Sequence, residues 1–142
     1  MKTLLVVAHP RQSSLTFAVA KAFADPIGED GHSVEWADLV RERFDPVLMT
    51  PDEPDWNDPN KIYSAPVRAE MQRIERNEAT VIVFPVWWWF MPAILKGWVD
   101  RVWNHGWAHM FLTSRMSYAI HNYAEQTRYC LTCSGRPQGA RP

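Results

Sequence analysis

Glycine is scarce in this 142-residue chain, at six copies. Gly28, Gly31, Gly97, Gly106, Gly135 and Gly139 form neither the dinucleotide fingerprint G-x-G-x-x-G nor the phosphate loop G-x-x-x-x-G-K, which excludes a Rossmann or Walker nucleotide site. Cysteine is scarcer still. Cys130 and Cys133 make one C-x-x-C with no second pair or histidine pair to complete a zinc site, and read as incidental reduced thiols. Neither sign of charge dominates, with 15 Lys+Arg against 16 Asp+Glu, so no basic field for nucleic acid is expected. Long apolar runs are lacking too: the longest, Val81 to Ile94, is broken by Pro85 and Pro92, and membrane insertion is not expected. The N-terminal MKTLLVVAHP is too short for a signal-peptide core, so the expected location is cytoplasmic.

What remains is ordinary globular material, 46% apolar and 22% charged, in the amount that makes one domain. Tryptophan is the excess. Six of the eight copies (Trp87, Trp88, Trp89, Trp98, Trp103, Trp107) crowd one stretch of 21 residues.

Thr3 to Ala8 is a continuous apolar run, the pattern of a strand buried on both faces, hence of a parallel sheet. Ser13 or Ser14 caps a helix whose inward face is expected at Leu15, Ala18, Val19, Ala22 and Phe23, ending between Gly28 and Gly31. Ser33 to Leu39 reads as a second strand nearer the sheet edge. Arg43 to Lys61 holds four prolines and five acids and cannot be regular structure; Met49 and this acidic loop are candidates to cover a partner subunit's site. Pro66 opens a helix with Val67, Met71 and Ile74 inward and Arg68, Glu70, Arg73 and Glu75 solvated. Ala79 to Phe84 is a third buried strand, and Pro92 starts a helix with Leu95, Trp98, Val99 and Val102 inward. The order β-α-β-α-β-α predicts an α/β, doubly wound parallel sheet in three α/β/α layers, with ligands at the carboxyl ends of the strands.

Two loops fall at those ends and should be neighbours in space. His9 to Ser14 precedes a helix N-terminus, whose free N–H groups and positive dipole end favour a phosphate, with Ser13, Ser14 and Thr16 as donors and Arg11 as counter-charge; the alternative makes Ser14 a cap and His9 a turn residue only. Pro85 to Met91 offers flat apolar walls and backbone amides suited to a planar heteroaromatic ring; the alternative is a core or dimer cluster. His105 and His109 stand four apart, but Gly106 and Trp107 occupy the place of the acid that a zinc-binding H-E-x-x-H needs. Asp100 and Arg101 read as solvated or dimer-rim charges.

These residues carry a resemblance. LLVVAHPRQSSLT, the strand-two exit ADL followed by FDPV, and FPVWWWFMPAILKGWVDRVWNHGWA are similar to the flavodoxin-like NAD(P)H:quinone oxidoreductase family, which includes ancillary flavoproteins of potassium-efflux systems and drug-activity-modulator reductases. The resemblance implies that His9, Ser14, Leu15 and Thr16 bind the phosphate side of a flavin. It implies that Pro85, Val86, Trp87, Trp88, Trp89 and Phe90 pack along the isoalloxazine. The cofactor is then FAD, with FMN the alternative, NAD(P)H the co-substrate and a quinone-like molecule the acceptor, usually in a homodimer. His109 falls where relatives carry a tyrosine lining the substrate pocket, and as a bare residue it also reads as a surface histidine at a helix end.

The resemblance covers residues 3–109; residues 1–109 are the expected flavodoxin-like flavin-binding core, and residues 110–142 form a divergent C-terminal segment. Charge shifts there as well, since residues 110–142 hold four Arg and one Glu. A fourth strand is expected at 128–133, then an exposed tail, without the family's closing strand and helix. Thr132-Cys133-Ser134-Gly135 stands where relatives have a third flavin loop. Two other readings are a flavin-holding regulatory subunit docked on a membrane transporter, and an inactive shortened relative.

Overall fold

The computed structural model describes residues 1–58, 60–104 and 107, and, as strands only, 117–121 and 130–135. The elements are β1 (Lys2–Val7), α1 (Leu15–Glu29), β2 (Ser33–Asp38), α2 (Ala65–Glu75), β3 (Ala79–Val83), α3 (Ala93–Val102), β4 (Ser117–His121) and β5 (Cys130–Gly135). The sheet order is β2-β1-β3-β5-β4, with β1 parallel to both β2 and β3.

β1 and β3 are buried on both faces, as their unbroken apolar runs require. Successive side chains of β1 serve opposite layers. Leu4 and Val6 join the core under α2 and α3 with Ile82, Val67, Met71, Leu95, Trp98 and Val102. Leu5 and Val7 join the core under α1 with Ala20, Ala24, Val81 and Val83. Each fully buried Leu or Val contributes about 1.5–3 kcal/mol, and the three-layer α/β/α arrangement follows from two apolar faces on one sheet.

The inward face of α1 is not the expected one. Thr16, Ala20 and Ala24 are buried, Phe17, Val19 and Phe23 are half-buried, and Leu15, Ala18 and Ala22 are exposed. Small residues at a spacing of four let the helix lie close on the sheet, with the bulkier chains flanking the seam. On α2, Val67, Met71 and Ile74 are buried as expected, yet Glu70 and Arg73 are not solvated. Glu70 accepts from the Trp98 indole N–H at 2.9 Å, and Arg73 bonds Glu35, Glu42, Glu70 and the Trp36 carbonyl. Arg73 thereby joins α2 to the edge strand β2, and Glu70 joins it to α3.

Glu35 is the hub of this network. Hydrogen bonds from Arg76 foremost, then Asn77 and Arg73, outweigh the opposing effect of burial and lower its pKa from 4.5 to about 2. A depressed carboxylate pKa stabilises the fold above the unfolded value and loses that contribution as pH falls through the folded one. The melting temperature of wild type should therefore drop more steeply than that of Glu35→Gln between pH 4.5 and about 2. Parallel melting curves across that window would remove Glu35 from the account.

Beyond β3 the sheet changes sense. β5 runs antiparallel to β3 and to β4. Only residues 122–129 link β4 to β5, fewer than the dozen or so that a parallel crossover takes, so the pair is antiparallel. β5 overlaps the strand expected at 128–133, and places Thr132 to Gly135 in a ladder rather than in a loop. No helix among the described residues is long and apolar enough to cross a membrane.

Candidate functional site

Both candidate loops leave the carboxyl edge of the parallel strands, and they meet. The His9 ring lies 5.7 Å from the Trp87 ring, centroid to centroid, tilted by 58°. His9 is buried, and its Nδ1 accepts the Arg11 main-chain N–H at 3.0 Å, which shapes the turn ahead of α1. Ser14 is the α1 N-cap, its hydroxyl accepting from Phe17 N–H. Leu15 and Thr16 are the first two residues of the helix, whose amides have no carbonyl partner within it, as an anion site at a helix N-terminus needs. The Leu15 side chain is exposed, whereas that of Thr16 is buried, which leaves its amide as the group at the helix end.

The second loop is a tight hairpin. Trp87 N–H donates to the Phe90 carbonyl at 2.9 Å, and Phe90 N–H returns to the Trp87 carbonyl at 3.0 Å. The two central residues, Trp88 and Trp89, have φ of +49° and +70°. Positive φ at both positions is the signature of a type I′ turn, normally given to Asn-Gly because a Cβ is costly there. Two tryptophans hold it instead. Trp88 is 94% exposed and Trp89 77%, so neither residue sits in this conformation to fill the core. Pro85 is buried, and Val86 and Met91 pack on the α2/α3 core, which roots the hairpin. Backbone held in a sparsely populated region on a well-rooted loop is a mark of a binding or catalytic site. The flat indoles and the turn's amides suit a planar ring with a polar edge, and the neighbouring α1 N-terminus suits its phosphate, so the residues present fit a flavin.

A family model described as a flavodoxin-like fold matches residues 1–139. The chain belongs to the flavodoxin-like family. Among its relatives is the NAD(P)H oxidoreductase YcaK of Escherichia coli, named as uncharacterized, 44% identical over 105 residues that make 74% of this chain and 54% of that protein. NAD(P)H dehydrogenase (quinone) 1 of Cavia porcellus is 26% identical over 78% of this chain and 46% of its own length. In structure, the NAD(P)H:quinone oxidoreductase from Methanothermobacter marburgensis matches with a TM-score of 0.71 at 34% identity, over 75% of this chain and 55% of that one. The chain spans about half the length of the curated relatives it matches.

Within this flavodoxin-like core, the support of the site escapes a reading of the sequence. Arg101 is buried, not solvated, and donates to Asp52 Oδ2 at 2.8 Å and to the Asp45 carbonyl. Asp100, by contrast, is half-exposed and pairs with Lys96. Burial by itself raises the Asp52 pKa, but the bonds from Arg101 and Ser64 outweigh it and hold the carboxyl below its ordinary value. The one available signal was Gly97. A lone glycine inside a helical pattern costs about 1 kcal/mol against alanine and points to a close approach, here by Pro46. His105 and His109 lie outside the described residues, and with them the zinc spacing and the substrate-pocket position. A groove of about 1110 Å³ runs beside α1 past Phe17, Lys21 and Trp36, meeting the site only at Gln12, Ser13 and Ser14.

Proposed function

We propose that this chain binds a flavin, FAD rather than FMN, and serves an NAD(P)H oxidoreductase with a quinone-like acceptor. The observation that carries this reading is the left-handed tryptophan hairpin seated against His9, on the chain of a family whose relatives are named for that chemistry. A bound flavin supplies two-electron transfer, taking a hydride from the nicotinamide and delivering it to the acceptor. The chain's own residues supply placement. The Ser14-capped helix end and the Leu15 and Thr16 amides hold phosphate, and the 85–90 backbone takes the polar edge of the ring, with Trp87, Trp88, Trp89 and Phe90 as apolar walls. No side-chain acid or base is assigned to the transfer. A cytoplasmic location and a homodimer complete the reading, with the exposed Trp56 of the acidic loop and Ile62 just beyond it as contacts between copies, and His109 is placed at the acceptor.

The test is optical. Purified protein supplemented with FAD should retain the flavin visible bands through gel filtration, lose them on addition of NADPH or NADH, and regain them with menadione. Retained colour that no nicotinamide bleaches would favour a flavin-holding regulatory subunit; colourless protein would overturn the reading. Ser14→Asp should expel the flavin, since a carboxylate at the helix N-terminus repels phosphate. Unchanged loading in that variant removes Ser14 from the site.

A further inference from the structure

Helix α3 bears two things along its length. It begins directly after the tryptophan hairpin, and one turn of it, Gly97 and Arg101, holds the irregular strap of residues 44–64 that joins β2 to α2. At Gly97 the strap lies so close that a Cβ would stand 2.2 Å from the Pro46 carbonyl oxygen. At Arg101 a single guanidinium, buried in the fold, makes three contacts with it. One nitrogen donates to the Asp45 carbonyl, another to Asp52 Oδ2, and the cationic carbon stands 5.5 Å from the centroid of the Phe44 ring. Asp52, 1% exposed, carries the hold to the far end by accepting the Ser64 N–H and hydroxyl, both at 2.8 Å. The strap is thus tied at its root, its middle and its exit.

Between the first two ties its exposed residues run Val47, Leu48, Met49, Thr50 and Pro51, and the first three are large and apolar. Phe44 at the root and Val86 and Met91 at the hairpin's flanks pack on the same core cluster, so strap and hairpin share one base at the carboxyl edge of the sheet. Fold stability alone is a weak reason for this design, because a buried ion pair is often matched or bettered by apolar residues of similar volume. What apolar residues cannot supply is a set of directed bonds that sets where the strap runs. A long segment whose described residues hold regular structure only in the 3-10 turn Thr50–Asp52 would otherwise have to be ordered at each binding event, at a cost in entropy.

We infer that Arg101 is a positioning residue for acceptor recognition: by tying the strap to the helix that bears the tryptophan hairpin, it sets Val47, Leu48 and Met49 as a second apolar wall of the acceptor site. This rests on the function proposed above. Two variants reach the strap at different ties. Arg101→Lys keeps the charge but loses the fork, and Gly97→Ala pushes on Pro46 without touching Arg101. In both, hydrogen exchange followed by mass spectrometry should quicken across 44–64 and stay slow in β1 and β3. The KM for menadione should rise about tenfold, more than kcat falls, with flavin content retained. Faster strap exchange with an unchanged menadione KM overturns the positioning role, and unchanged exchange overturns the clamp. Wild-type protein that neither retains flavin nor reduces menadione overturns the function on which the assignment rests, while the exchange comparison still reports the clamp.

Discussion

Replacing Trp88 and Trp89 with Asn and Gly is expected to make the protein more stable and worse at holding flavin. Each tryptophan occupies the left-handed region, which costs about 1–2 kcal/mol for a residue with a Cβ. Asn-Gly is the pair that this turn accepts most readily. The exposed indoles bury little surface in the fold, so their removal forfeits little apolar burial. The net gain should be about 1–3 kcal/mol once the unfolded-state entropy of a new glycine is counted, visible as a rise of several degrees in melting temperature. Flavin retention should fall sharply, because the walls of the ring site go with the indoles. Opposite signs in the two measurements identify a backbone strained for binding. A loss of stability would mean that the tryptophans support the turn, and undiminished retention would move the flavin elsewhere.

Arg101→Ala should cost about 3–5 kcal/mol in urea denaturation, because it strands the Asp52 carboxylate in the interior. Only 6% of the Arg101 side chain and 2% of that of Asp52 are exposed, so water cannot replace the lost partner without rearrangement of the strap. Asp52→Ala strands the guanidinium in turn. The double variant should therefore be less destabilised than the sum of the singles, by about 1–3 kcal/mol of coupling. Additive losses would show that the two groups are solvated separately and that the strap is not clamped.

The sequence carried much of the fold because its signals there are local. The unbroken apolar runs at Thr3 to Ala8 and Ala79 to Phe84 mark doubly buried strands, and both are buried throughout. Pro66 and Pro92 stand at the starts of α2 and α3, and Val67, Met71, Ile74, Leu95, Trp98 and Val102 are buried as the periodicity of those helices predicts, with Val99 half-buried. On α1 the same reasoning chose Leu15, Ala18, Val19, Ala22 and Phe23, and missed that Thr16, Ala20 and Ala24 form the seam. Periodicity reports spacing, whereas the distance between helix and sheet selects which residues fit.

The candidate loops were legible as loops, since each follows a buried strand that ends at a His-Pro or a Pro-Val step. Their meeting through His9 and Trp87 follows from the adjacency of β1 and β3. The backbone conformation of Trp88 and Trp89 was not legible, because nothing in a run of aromatic residues announces positive φ. Arg101 and Asp52 were not legible either. They lie 49 residues apart, and a charge beside an acid on a helix reads as solvated until a partner from another segment arrives to bury it.

Composition and order alone determined an α/β domain with β1, β2 and β3 parallel, the Rossmann and Walker nucleotide sites excluded by six badly spaced glycines, and a tryptophan-rich loop at the carboxyl edge; the antiparallel β4 and β5 were not in that reading. Those properties depend on residue type and near neighbours. The tertiary structure alone decided that two tryptophans sit in left-handed backbone and that one buried guanidinium ties down the longest loop described. Strain and buried charge persist only where distant segments close around them, and that closure is not written in any one stretch of the chain.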